Sequence, residues 1–416
     1  MSIIEQNNRT RSHSFEKIPL PSVLSVPLTL DGYTATPVVK AGDKVKKYEK
    51  IAVGDYIVHS PVSGTVQALS DEYAVIKNDF RETTAELIPE TKTIQELSSE
   101  ELCQRAYQSG IWCKTRKAPL DKAISECAGK VSRVIINLCE GQPFVSSAYR
   151  LCLDNIDAVL GGAKILMKAC GVRRAVIAVD LKNFRLIKLL REKCGKSPLF
   201  SIKVITRGYP SENPRRLVYI VDGVESENGK NLALQGYGVF GARECYDFYT
   251  AQVNRTPSVN CFVTAEGDCI STPKNIIVPI GTSASYIAEC CGGYIKEPHK
   301  IISGGAFDGE ALWDSDQPVN KDSTAVVFLS DAYVKKTGTA CIKCSRCVKY
   351  CPMFLMPLKI AEAHSKGKTE KCKELGAESC IQCGICSYVC PANITVTQKM
   401  AQAKDAVKNK ENPTVF

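Results

Sequence analysis

The chain lacks any apolar run of about 18 residues, the length that a membrane-spanning helix needs. Its first 17 residues are polar and contain no apolar segment of the kind found in secretory signals, so we expect an unexported, cytoplasmic protein. It has only 4 His and 2 Trp, and the histidines show no metal-ligand spacing. The 44% of hydrophobic residues in 416 positions is enough for several globular domains.

Cysteine, by contrast, is abundant, with 21 residues, of which eight form two runs of identical spacing. The runs are Cys341-x2-Cys344-x2-Cys347-x3-Cys351-Pro352 and Cys380-x2-Cys383-x2-Cys386-x3-Cys390-Pro391. Each run supplies four thiolates, the ligand set of a [4Fe–4S] cluster, and in this spacing the fourth cysteine binds the neighbouring cluster. We therefore predict one cluster on Cys341, Cys344, Cys347 and Cys390, and a second on Cys380, Cys383, Cys386 and Cys351.

Zinc sites and disulfides could also account for cysteine runs, but both fit this sequence less well. Zinc ribbons rarely add a third cysteine and a proline to each half. The remaining 13 cysteines are scattered without spacing. Oxygen-sensitive clusters beside so many thiols suit a reducing, anaerobic cytoplasm, in which structural disulfides are rare.

The formal net charge of +10 resembles that of a nucleic-acid-binding protein, but it counts cysteines as neutral. Eight thiolates and two iron–sulfur cores lower it to about +6. The chain has no long basic block and no basic platform with interleaved aromatic residues. We therefore predict no nucleic-acid partner.

The rest of the sequence predicts a multidomain α/β and α+β protein. Near the N-terminus, short strands separated by Gly42-Asp43 and Ser63-Gly64 indicate a small β domain. Strands and helices then alternate to about residue 251, as in a parallel-sheet domain, with strands at 133–138 and 175–180 and a helix over 147–170. A smaller α+β unit reaches to about residue 330 and precedes the cysteine runs.

This order of segments resembles the family of the C subunit of Rnf electron-transport complexes, together with its soluble homologues in cobalamin and proline reduction. The markers are Pro37-Val38-Val39-Lys40-Ala41-Gly42-Asp43, Glu140-x-x-Pro143-Phe144 and Val278-Pro279-Ile280-Gly281-Thr282. The resemblance, closest to the proline-reductase-associated type, implies a barrel-sandwich (lipoyl/biotinyl-like) domain over 15–92 and a Rossmann-like α/β domain, related to the complex I flavin subunit, over 95–255. It also implies a β-grasp (SLBB-like) domain over 256–331, a double ferredoxin-type [4Fe–4S] domain over 335–400 and a tail over 401–416.

The resemblance further implies an FMN and NADH site, from which this sequence departs. The family's glycine-rich loop, G-G-A-G-F-P-T, corresponds to Gly110-Ile111-Trp112-Cys113-Lys114-Thr115-Arg116. The paired acids before proline become Glu140 and Gln142, and an asparagine-x-x-threonine segment becomes Gly241-Ala242-Arg243-Glu244. Added side chains and the negative charge of Glu244 near the phosphate argue against FMN and NADH. Glu140 is the one cofactor-binding residue that the resemblance carries over.

Two sets of side chains in this region could have either a functional or a structural role. Lys114, Arg116 and Lys117 could contact a phosphate, but such charge runs more often form a solvated or docking face. Cys113 and Cys139 could be redox thiols, although buried, inert cysteines are more common.

We therefore predict a soluble iron–sulfur protein that takes electrons from a redox protein and passes them through two [4Fe–4S] clusters to a partner reductase, such as proline reductase. The alternative is an NADH-oxidising FMN/Fe–S subunit of an Rnf-type complex, peripheral to the membrane, or a cobalamin reductase. A ligand sensor built on the β-grasp unit is disfavoured because the set of cluster ligands is complete.

Overall fold

The computed structural model describes residues 8–86, 92–206, 208–225, 231–333 and 337–411. These residues form two compact units. The larger unit takes the described residues of Met1–Pro214 with Leu232–Ala306 and Glu310–Ser330, and the smaller takes those of Arg215–Asn231, Phe307–Gly309 and Asp331–Phe416. Within the described stretches, no helix is long and apolar enough to cross a membrane.

The N-terminal region of the larger unit contains short strands. They are β1 (Phe15–Lys17), β2 (Val23–Pro27), β3 (Thr29–Leu30), β4 (Tyr33–Pro37), β5 (Lys44–Val45), β6 (Lys50–Gly54), β7 (Val58–His59), β8 (Gly64–Leu69) and β9 (Tyr73–Asn78). Two four-stranded antiparallel sheets, in the orders β2-β9-β8-β5 and β3-β4-β6-β7, enclose a core that includes Leu24, Ile51 and Ile76. In β2, Leu24 and Val26 alternate with more exposed neighbours, as expected of strands with one buried face.

The next part is an α/β domain with a parallel sheet. Its elements are α1 (Ser99–Gln108), β10 (Trp112–Cys113), β11 (Ala118–Pro119), α2 (Leu120–Cys127), β12 (Arg133–Asn137), α3 (Ser147–Cys170), β13 (Ala175–Asp180), α4 (Phe184–Cys194), β14 (Phe200–Ile205), β15 (Tyr237–Gly241) and α6 (Ala242–Val253). Helix α5 (Pro214–Asp222) lies between β14 and β15 in the sequence. The strand order is β14-β13-β12-β15. Chain order reverses between β12 and β15, and ligands of such sheets bind at the carboxyl ends of strands at that point.

A six-stranded sheet with the order β1-β17-β16-β20-β18-β19 completes the larger unit. Its further elements are β16 (Asn260–Glu266), β17 (Lys274–Pro279), α7 (Ala284–Cys290), β18 (Lys300–Ser303), β19 (Glu310–Ala311) and β20 (Ala325–Leu329). The sequence interpretation assigned residues from 15 onward to the barrel-sandwich domain, but β1 pairs in parallel with β17. The preceding residues join the same sheet, because the Arg9 amide and the Thr10 hydroxyl each donate to the Glu266 carboxylate at 2.8 Å.

The smaller unit is helical and contains both cysteine runs. Besides most of α5, its helices are α8 (Arg346–Lys349), α9 (Pro357–Ser365), α10 (Thr369–Glu374), α11 (Ile385–Tyr388) and α12 (Val396–Glu411). The core includes Leu355, Ile360, Cys372, Met400 and Val407. Helix α12 is amphipathic and packs its buried face against α9 and α10.

Candidate iron–sulfur and flavin sites

The backbone of the first cysteine run is repeated 39 positions later in the second. Lys343 and Ser345 have φ values of 55° and 59°, and the equivalent Gln382 and Gly384 have 54° and 75°. In each run a short helix, α8 or α11, begins directly after the second of these residues. The amide of Lys343 points at the Cys341 Sγ at 3.3 Å, and that of Gln382 points at the Cys380 Sγ at 3.4 Å. Each run therefore forms the same tight turn, which directs backbone N–H groups at sulfur.

Burial separates the eight cysteines of the runs from the remaining 13. Eleven of the 13 are buried, whereas none of the eight is: Cys341 and Cys344 are exposed, and the other six are partly exposed. Among the described residues, no three His, Cys, Asp or Glu side chains are arranged to hold a single metal ion, as a zinc site requires. A [4Fe–4S] cluster instead spreads its four thiolates around a four-iron core, so thiols that do not converge on one point are compatible with a cluster.

A cavity in the smaller unit is lined by Cys380, Cys383, Cys386 and, from the first run, Cys351. These are the four thiols that the crossed wiring assigns to the second cluster. Burial raises the pKa of Cys383 to about 12 and that of Cys386 to about 11. Thiolates in such a cavity need positive compensation, which an iron core would supply.

The chain before the first run lies beside the chain after the last cysteine. The Thr339 amide donates to the Ala392 carbonyl at 2.9 Å, two residues beyond Cys390. This contact places the residues just before Cys341 beside those just after Cys390. It is compatible with the predicted first cluster.

Two cations from outside the runs lie near the second cavity. Burial raises the pKa of Cys351, while the amides of Leu355 and Met353 and the charge of Arg216 lower it. The Lys404 ammonium, on α12, donates to the Cys380 carbonyl at 2.6 Å. Both cations favour the negative charge of a ligated cluster. The sequence interpretation missed them because their positions, on α5 and α12, show no cluster-related spacing.

In the α/β domain, the segment that replaces the glycine-rich loop folds into the β10–β11 hairpin. The Trp112 ring is buried and contacts the rings of Tyr33 and Tyr56 edge-on, with centroids 5.7 and 5.9 Å apart. The buried Lys321 ammonium donates to the carbonyl oxygens of Gly110 and Ser258. Protein side chains thus pack against this segment and hold it in place, whereas the corresponding glycine-rich loop of the family leaves room for a cofactor.

Glu244 occupies the N-terminus of α6, at the carboxyl end of β15. Its carboxylate accepts the Thr115 amide at 3.1 Å and its own backbone N–H, and burial raises its pKa. It lies over Gly241, where a Cβ would be 2.5 Å from the Glu244 Oε2. A helix N-terminus is a common anion site. Here the protein's own carboxylate takes that place, so the residues present do not fit a flavin phosphate.

Glu140, predicted to bind a cofactor, lies at the carboxyl end of β12 and is buried. Its carboxylate accepts the amides of Ala148 at 2.9 Å and Tyr149 at 3.2 Å, in the first turn of α3. Its own amide donates to the Asp180 carboxylate at 2.7 Å. Both carboxylate oxygens are therefore used to cap a helix, which argues against the predicted cofactor contact.

The other candidate residues of this region are also used in internal contacts. Burial raises the pKa of Cys113 and of Cys139 well above the ordinary value, so neither is an activated thiol. Lys114 donates to the Thr324 hydroxyl at 3.1 Å, Arg116 pairs with Glu126, and Lys117 pairs with Asp31. Of the three cations, only Lys117 is exposed.

Three family matches and several relatives cover most of the chain. Residues 2–86 match the RnfC barrel-sandwich hybrid domain, 115–246 the Nuo51 FMN-binding domain, and 340–394 the 4Fe-4S dicluster domain. The C subunit of the proton-translocating ferredoxin:NAD(+) oxidoreductase complex of Clostridium ljungdahlii is 29% identical, over 88% of this chain and 83% of that protein. The C subunit of the Na(+)-translocating complex of Acetobacterium woodii is 28% identical, over 88% of both chains.

This chain is RnfC-like over most of its length.

The similarity to RnfC subunits agrees with a fold similarity to a solved structure. An NAD+-reducing [NiFe]-hydrogenase chain superposes with a TM-score of 0.53 at 12% identity, over 76% of this chain and 64% of that chain. The expected barrel-sandwich, α/β and double-cluster architecture is thus confirmed, and the 4Fe-4S dicluster match supports iron–sulfur clusters as the cofactors. The RnfC-like chain keeps the fold of the FMN-binding domain, but a carboxylate of the protein itself occupies the phosphate position.

The buried Lys321 generates a prediction about pH. Burial lowers its pKa from 10.5 to about 8, so the unfolded chain binds more protons than the folded chain between those values. The free energy of unfolding should therefore rise with pH in that window, by roughly 1–2 kcal/mol between pH 7.5 and 9.5. Urea unfolding at both pH values should show this rise in the wild type and its loss in Lys321→Met. Lys300→Met, at an exposed lysine of the same unit, should behave as the wild type; an equal rise in Lys321→Met would contradict the prediction.

The crossed wiring generates a prediction about paired cysteine variants. If Cys351 and Cys380 bind one cluster, the double variant Cys351→Ala/Cys380→Ala should keep about four of about eight iron atoms, whereas Cys341→Ala/Cys351→Ala should lose both clusters. Iron analysis and electron paramagnetic resonance of reduced, anaerobically reconstituted protein measure this. Cys372→Ala, at a buried cysteine of the same unit, should keep all the iron. The opposite iron contents in the two double variants would show that each run holds its own cluster.

Proposed function

We propose that this RnfC-like chain is the electron-transfer subunit of an Rnf-type complex, in which two [4Fe–4S] clusters carry electrons one at a time between a redox donor and a partner. The observation that carries the proposal is the doubled turn at the two cysteine runs. In both, a backbone amide points at sulfur, and none of the eight cysteines is fully buried. The protein positions and insulates the clusters, and the clusters supply the redox chemistry.

The relatives favour an Rnf-type partner over proline reductase. Those aligned over most of this chain are subunits of ion-translocating oxidoreductase complexes. We therefore prefer the Rnf-type alternative to the proline-reductase assignment made from the sequence. In this proposal the chain is a peripheral subunit that receives or delivers electrons at the other subunits.

A second candidate function, NADH oxidation by bound FMN, is favoured by the match of residues 115–246 to an FMN-binding domain. It would require the phosphate to bind where the Glu244 carboxylate now accepts the Thr115 amide. It would also require Trp112 to leave its contacts with Tyr33 and Tyr56. The cluster function requires neither change, and for this reason we rank it first.

Flavin content and NADH bleaching distinguish the two functions. Protein purified anaerobically with intact clusters should contain well below stoichiometric FMN, because Glu244 repels a phosphate at the α6 N-terminus. Dithionite should bleach the cluster absorption, whereas NADH alone should do so slowly. The fluorescence of the supernatant after denaturation measures the flavin, and a member of the family with the intact glycine-rich loop serves as control. Near-stoichiometric FMN together with rapid NADH bleaching would establish the second function instead.

A further inference from the structure

The two cysteine runs share a backbone but differ in charge at equivalent positions. Three positions between the ligands are cationic in the first run and uncharged in the second. The cationic residues are Lys343, Arg346 and Lys349, and their equivalents are Gln382, Ile385 and Tyr388. Because the turns and the short helices are the same, local folding does not require the three charges. The charge difference is therefore a property of the surface of the first run and not a requirement of its fold.

The first run is also the more exposed of the two. Every residue from 337 to 346 is exposed, and the Ile342 side chain is 66% exposed. In the second run, Cys380, Ile381 and Cys383 are half-buried, and Ile385 is 3% exposed. An electron can reach a partner protein more readily through the exposed run. An apolar side chain beside exposed ligands is also typical of the centre of a transient interface.

The three cations are exposed, and the Lys349 ammonium lies 5.6 Å from the centroid of the Tyr350 ring. No carboxylate of the described residues forms a salt bridge with them, and the sequence has no Asp or Glu from 337 to 361. The second cavity, by contrast, has its nearby cations on other elements, as Arg216 and Lys404 show. The charges of the first run therefore complement the surface of an acidic partner.

We propose that Ile342, Lys343, Arg346 and Lys349, here called the basic face, dock an acidic one-electron carrier protein onto the first cluster. The inference rests on the proposed function, because it needs a cluster bound at Cys341. In each encounter one electron leaves the reduced centre of the carrier and reduces the first cluster from its 2+ to its 1+ state. No bond or proton is transferred. Opposite charges would increase the encounter rate and make it fall at high salt.

The test measures electron transfer from a reduced, acidic two-cluster ferredoxin to the reconstituted full-length protein by anaerobic stopped flow at several ionic strengths. Lys343→Gln/Arg346→Gln/Lys349→Gln should lower the second-order rate constant about tenfold or more and flatten its dependence on salt. Lys366→Gln/Lys368→Gln/Lys408→Gln removes the same charge from other exposed positions of the unit and should stay within about twofold of the wild type. Equal losses in both variants, or no loss in the first, would overturn the proposal.

Two further measurements separate the causes of failure. Reduction by a small uncharged mediator should be equally fast in all variants, and clusters that no reductant reduces would contradict the proposed function rather than the basic face. Carbodiimide coupling of the wild-type protein to the same ferredoxin, mapped by mass spectrometry, should join Lys343 or Lys349 to carboxylates of the ferredoxin. This measurement does not depend on whether a variant keeps its iron. Coupling elsewhere would overturn the proposal, as would binding to phosphatidylserine vesicles that depends on the basic face and leaves transfer from the carrier unchanged.

Discussion

The negative charge of cysteine thiolates is the constraint on which the smaller unit depends. Left-handed backbone at non-glycine residues costs about 1–3 kcal/mol each, and Lys343, Ser345 and Gln382 all adopt it. The same turns bring amides toward sulfur, where they offset part of the charge. Arg216 and Lys404 add compensation from α5 and α12. A ferredoxin-type motif in this chain is therefore completed by residues that lie outside it.

In the α/β domain, the negative charge comes from a side chain of the protein and lies at a helix N-terminus. Its helix N-terminus attracts an anion, and Glu244 provides one from the chain itself. The parallel sheet, the reversal of chain order and the packed helices do not depend on a bound phosphate. Architecture and ligand site are thus separable here, which explains how a flavin-domain fold can coexist with a closed phosphate position.

The sequence predicted best what is encoded locally. The alternation of strand-like and helix-like segments predicted strands near 133–138 and 175–180, and the structure has them at β12 and β13. Cluster chemistry was predictable because cysteine spacing within one run reflects it directly. The parallel pairing of β1 with β17 has no local signature, since its residues are distant in sequence. The charge of Glu244 was anticipated, but its hydrogen bond to Thr115 depends on the tertiary fold.

The N-terminal contacts affect the order in which the chain can fold during synthesis. Arg9 donates to Glu266, which lies 257 residues later. At about 5–20 residues per second, a ribosome would need roughly 13–50 s to make that partner available. Throughout this time the first strand would have an unpaired edge, able to associate with other nascent chains. The barrel-sandwich domain needs only strands that are close in sequence, so it can form first. Strand β1, which precedes it in the chain, can pair only after β17 has been synthesised.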